Sequence, residues 1–91
     1  MGMDLIPLLG DVPDQHYNWS RWFWLWERLT EWGVDTSSLS SINDHSIIPE
    51  KTCIQIANAI EAHLHDFDES DQEWLALHAA RWRRSGGFEQ W

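Results

Sequence analysis

Five of the eight tryptophans in this 91-residue chain fall between Tyr17 and Trp32. An indole carries the largest apolar surface of any side chain and one N–H that needs an acceptor, so such a cluster must build the core or face a ligand. From Asn18 onward the pattern has the period of a helix. Trp19, Trp22, Phe23, Leu25, Trp26, Leu29 and Trp32, with Thr30, fall on one half of the cylinder, and Ser20, Arg21, Glu27, Arg28 and Glu31 fill the other. Asn18 suits the N-cap and Gly33 the position just past the end, which predicts a helix over residues 18–33. Trp24 alone projects into the polar half. The four other tryptophans are therefore expected in the core, and Trp24 beneath other residues, stacked on Arg21 or Arg28, or against something outside the chain.

The remaining segments are organised around that helix. Residues 1–17 contain Pro7, Gly10 and Pro13, which break helices, yet Leu5, Ile6, Leu8, Leu9 and Val12 are too apolar for a free tail. An extended arm laid across the helical body is expected, with at most a short strand in it. Residues 34–48, rich in Ser, Asp and Asn, read as a long loop with a turn at Ser41–Ser46. Pro49 fits the first position of a second helix over 49–67, whose apolar stripe is Cys53, Ile56, Ala57, Ile60, Leu64 and Phe67. Ser70-Asp71-Gln72-Glu73 has the form of a capping box and opens a third helix over 70–84, stopped by Gly86-Gly87. Residues 85–91 form a docked C-terminal tail. The fold class that follows is all-α: one domain over 1–91, three helices with an ordered extended N-terminal arm.

Composition narrows the function. Fifteen acidic residues against six basic ones give a formal net charge of -9, which disfavours nucleic acid and anionic membranes as direct partners and favours a basic protein surface. Cys53 is the single cysteine, so no internal disulfide is possible, and the cytoplasm is the expected compartment. Nor does the N-terminal patch have the basic flank of a secretory signal.

The familiar chemistries are missing. Asp66, Asp68 and Ser70 alternate like the start of a calcium loop, but the sixth and twelfth positions of that register hold Asp71 and Leu77 where Gly and Glu are needed. His63 and His65 diverge on a helix. No metal and no cofactor are expected. There is no nucleophile elbow and no phosphate loop, and His16, Asp44 and His78 would form a catalytic set only if the fold joined them, so the chain reads as non-enzymatic.

Two functional readings remain. From Glu61 to Glu73 there are six carboxylates and no Lys or Arg. Trp24, Glu61, Asp66, Asp68 and Glu69 are accordingly the candidate protein-binding residues of an acidic interaction module. An exposed Trp24 would also allow a homodimer through an aromatic surface. The alternative is a small-molecule binder, with Tyr17, Trp19, Trp22, Asn43, Asp44 and Arg84 walling a pocket for a nucleotide-like guest. Arg81-Trp82-Arg83-Arg84 is expected to pair with the protein's own carboxylates or stack on its tryptophans.

The opening Met1-Gly2-Met3-Asp4, the segment Tyr17-Asn18-Trp19 followed by Trp22 and Trp26, the Asn43-Asp44 turn and the ending Trp82-Arg83-Arg84-Ser85-Gly86-Gly87-Phe88 resemble a scattered family of small bacterial and phage proteins. His45 stands where those sequences commonly carry Gly. The resemblance implies a phage or prophage setting and no mechanism. Combined with the charge, it leads to the expectation of a phage-encoded anti-defence inhibitor that occupies the basic surface of a host protein handling nucleic acid.

Overall fold

A computed structural model describes residues 1–91 and shows an α+β architecture, which corrects the all-α expectation. Both ends of the chain are strands. β1 (Gly2–Pro7) and β2 (Gln15–Asn18) form a hairpin, β3 (Ile47–Pro49) precedes the second helix, and β4 (Gly87–Gln90) closes the chain into the sheet. The antiparallel order is β2-β1-β4-β3, so the expected tail is a central strand. Leu5 pairs with both Gln15 and Gln90, and Phe88 with both Pro7 and Ile48.

The physical reason is a period of two. Met3 and Leu5 are buried while Asp4 between them is exposed, and Gln15 and Tyr17 are buried while His16 and Asn18 are not. Pro7 ends β1 and does not prevent it, in keeping with the tolerance of strand ends for proline. Gly86 and Gly87 do more than stop a helix. Their φ values of +71° and +111° swing the chain back beneath the helices, and a Cβ on Gly87 would lie 2.9 Å from the Ile48 carbonyl oxygen.

The helices are α1 (Trp19–Glu31), α2 (Glu50–Ala62) and α3 (Glu69–Arg84). Asn18 caps α1 as expected, its side chain accepting from the Arg21 amide at 2.8 Å, and Gly33 follows the last turn at φ +80°. The second helix stops at Ala62, short of the expected Phe67, and a 3-10 turn over Leu64–Asp66 takes the chain onward. Asp68, two residues before the expected Ser70, caps α3 by accepting from the Asp71 amide at 2.9 Å.

The core lies between the inner sheet face and the helices. Met3, Leu5, Tyr17, Ile48 and Phe88 meet Trp22, Leu25, Leu29, Ile56, Ile60, Leu75 and Trp82. Trp22 and Trp82 lie parallel at 6.5 Å, and Phe88 stands edge-on to Trp82 at 5.0 Å. Cys53 is enclosed too, and burial pushes its thiol up to about 11, so the thiolate required of a nucleophile is not available. No helix is long and apolar enough to cross a membrane.

Candidate functional site

The aromatic residues of α1 divide into three sets. Trp22, only 1% exposed, points into the core with Leu25 and Leu29, and its Nε1–H donates to the Ser40 carbonyl at 2.9 Å. Trp24 lies on a flank, half-buried, edge-on to Phe67 at 5.8 Å, with the Arg21 and Arg28 guanidinium groups 5.0 and 5.8 Å from its ring centre. Its position in the polar half of the helix is thus met within the chain by cation–π contacts. The third set faces outward. Phe23 is 44% exposed, stacks on Trp19 at 5.7 Å and meets Trp26 at 6.2 Å.

Phe23 and Trp26 floor an open groove of about 660 Å³, walled by Glu27, Thr30 and Glu31 of α1 and by Ser41 of the following loop. No cation lines it. The two rim carboxylates share one guanidinium, Arg28 lying 3.4 Å from Glu27 and 3.0 Å from Glu31, so the rim keeps a net negative charge. Thr30 spends its hydroxyl hydrogen on the Trp26 carbonyl, which leaves the groove floor aromatic.

The loop wall is fixed from the sheet. Gln90, fully buried on β4, accepts from the Ser40 amide at 2.7 Å and donates from Nε2 to the Ser38 carbonyl and the Ser46 hydroxyl, both at 3.0 Å. Its backbone also bonds His45 and Ser46. Sequence reasoning missed Gln90, as it missed Phe23. The available signal was the polar Gln90 alternating with Phe88 at a chain end otherwise suited to a strand.

The expected acidic set has local roles. Glu61 pairs with Arg83 at 2.9 Å, Asp66 lies 3.4 Å from His65, Asp68 caps α3, and Glu69 stands in the first turn of α3, where negative charge is favourable. The six residues expected to line a nucleotide-like pocket are engaged separately. Tyr17 and Trp22 fill the core, Trp19 is half-buried against Phe23, and Asn43 donates to the Gly2 carbonyl at 3.1 Å. Asp44 accepts from the Ser46 hydroxyl and amide, bonds that hold its carboxyl below the usual carboxylate range. Arg84 pairs with Asp11 at 2.8 Å. A smaller recess of about 340 Å³ is lined by Asn18, Ser20, Arg21 and Trp24.

The three residues considered for catalysis also find separate partners. His16 bonds Asp4 at 2.6 Å on the open sheet face, Asp44 bonds Ser46, and His78 bonds Tyr17 in the interior. Burial and the charges of Arg81 and Arg21 pull His78 down to about 4, while burial raises the Tyr17 phenol above its ordinary value. No group of three or more His, Cys, Asp or Glu side chains is arranged to hold a metal ion.

No protein-family model, curated protein or solved structure matches the chain.

Proposed function

We propose that this protein is a non-enzymatic interaction module that holds a basic segment of a partner protein in the groove over Phe23 and Trp26. The observation that carries this reading is Phe23, a large aromatic left 44% exposed in the middle of an otherwise supported aromatic row. It sits beneath an acidic rim, in a chain of net charge -9. Aromatic anchors supply the apolar contact of a docking site, and carboxylates at the edge select cations and speed their approach. The fitting partner is a protein with a basic surface of the kind that meets nucleic acid, and a phage-encoded inhibitor of such a host protein, working in the cytoplasm, is the setting proposed.

The test uses short synthetic peptides with one leucine or phenylalanine anchor flanked either by lysine and arginine or by glutamate, titrated by tryptophan fluorescence. The basic-flanked peptides are expected to bind, more weakly as salt rises and more weakly to the Glu27→Gln/Glu31→Gln double variant. Equal binding of acidic and basic peptides, or no binding of either, overturns the reading.

A further inference from the structure

We infer that the segment this groove accepts is an amphipathic α-helix of about three turns with its basic residues along one flank only. The inference rests on the docking role proposed for the groove and gives the partner a shape. The outward row of α1 is Trp19, Phe23, Trp26 and Thr30, spaced by four, three and four residues. That is the ridge a second helix packs against, and from Trp19 to Thr30 it runs about 16 Å, the length of about eleven helical residues.

Backbone hydrogen bonding argues for the same shape. The longer wall of the groove is α1, whose amides are already committed within their helix, and the other wall is the single residue Ser41. An extended peptide laid there would find no backbone partners along α1, whereas a helix satisfies its own N–H and C=O groups internally. Sidedness comes from the rim. Glu27 and Glu31 line the helical wall while Ser41 lines the other, so the partner's lysines and arginines belong on the flank turned toward α1.

A second copy of this chain is a poor occupant, because it brings a net charge of -9 to a surface of the same sign. The occupant is therefore a segment of a different protein.

The experiment is fluorescence anisotropy with three labelled peptides of equal length and net charge, rich in leucine and lysine. One is a lactam-bridged amphipathic helix with lysines on a single flank, one is a scramble without amphipathic order, and one carries a central proline. They are titrated with the wild-type protein and with Phe23→Ala, whose fold is checked by circular dichroism. The bridged helix is expected to bind at least tenfold more tightly than the other two, and Phe23→Ala to weaken it by a similar factor. If all three peptides bind alike and still depend on Phe23, the helical shape is overturned and the groove remains a docking site. If no peptide binds, or Phe23→Ala changes nothing, the docking role itself falls. Sedimentation that shows a Phe23-dependent dimer replaces the foreign helix with a second copy and overturns the inference.

Discussion

The Tyr17 hydroxyl lies 2.6 Å from Nδ1 of His78, joining the edge strand β2 to α3 inside the core. Trp82 donates its Nε1–H to the same hydroxyl at 3.0 Å, and His78 is the one acceptor within reach of the phenolic hydrogen. With that hydrogen donated to Nδ1, His78 is the neutral ring, in keeping with the lowered pKa that burial and the charges of Arg81 and Arg21 impose.

A pH dependence of stability follows from this arrangement. His78 titrates near 6.5 when unfolded and near 4 when folded, so the unfolded state binds the proton more readily. Its contribution is intact above pH 6.5, is lost as pH falls toward 4, and levels off below that, about 3 kcal/mol in all. Urea denaturation of wild type and His78→Gln between pH 7 and pH 4 isolates the effect from the carboxylates, which titrate in both. The wild type is expected to lose about 3 kcal/mol more over that range than the variant. Parallel curves would show that His78 does not carry the dependence.

Trp22 and Trp24 stand two residues apart on α1 and should respond very differently to truncation. Trp22→Ala removes a fully enclosed indole packed on Trp82 and Tyr17 and leaves the Ser40 carbonyl without its donor. A loss of about 3–5 kcal/mol is expected. Trp24 is half-buried and meets Phe67 and two guanidinium groups, so Trp24→Ala should cost about 1–2 kcal/mol. Chemical denaturation gives both values, and a Trp24→Ala loss as large as that of Trp22→Ala would contradict the division of the helix.

What could be read from the residues depended on how far apart the interacting partners lie. Asn18 capping Arg21 spans three residues and was visible, as was the left-handed Gly33 after α1. The sheet was not. Its inner positions on β1 are Met3 and Leu5, one alternation long, and the strand that confirms them lies at Phe88 to Gln90 at the other end of the chain. Short alternation has little weight until its distant partner is known. Phe23 was lost for a different reason. The helical period places it on the same half of the cylinder as Trp22, but cannot show that the 34–46 loop descends only as far as the Trp22 Nε1 and leaves Phe23 open.

Gly87 and Gly10 give opposite expectations for one substitution. Gly87 holds φ +111°, and an added Cβ would meet the Ile48 oxygen at 2.9 Å and the Glu50 nitrogen at 3.4 Å, both backbone atoms with no room to yield. Gly87→Ala should cost about 1–3 kcal/mol, seen as a clear fall in Tm. A Cβ added at Gly10 would meet nothing within 4 Å, and Gly10→Ala should be neutral or stabilise by about 0.4–1 kcal/mol through the unfolded chain. Scanning calorimetry that ranks the two variants in the opposite order would refute this account of the β3–β4 junction.

Gln90 couples the sheet to the groove, and its removal should be felt in both places. In Gln90→Ala the Ser40 amide and the Ser38 carbonyl lose their side-chain partners, a loss of about 1–3 kcal/mol. The fold should survive, because β4 keeps its backbone pairing and the Trp22 Nε1–H still reaches Ser40. The Ser41 wall, however, would no longer be held on the sheet side. Amide hydrogen exchange at Ser40 should accelerate in Gln90→Ala while amides within α2 remain protected. Affinity for a basic helical peptide should fall although no lining residue has changed, because the peptide must then order the wall as it binds. Unchanged exchange at Ser40 would mean that the Gln90 side chain does not hold the loop.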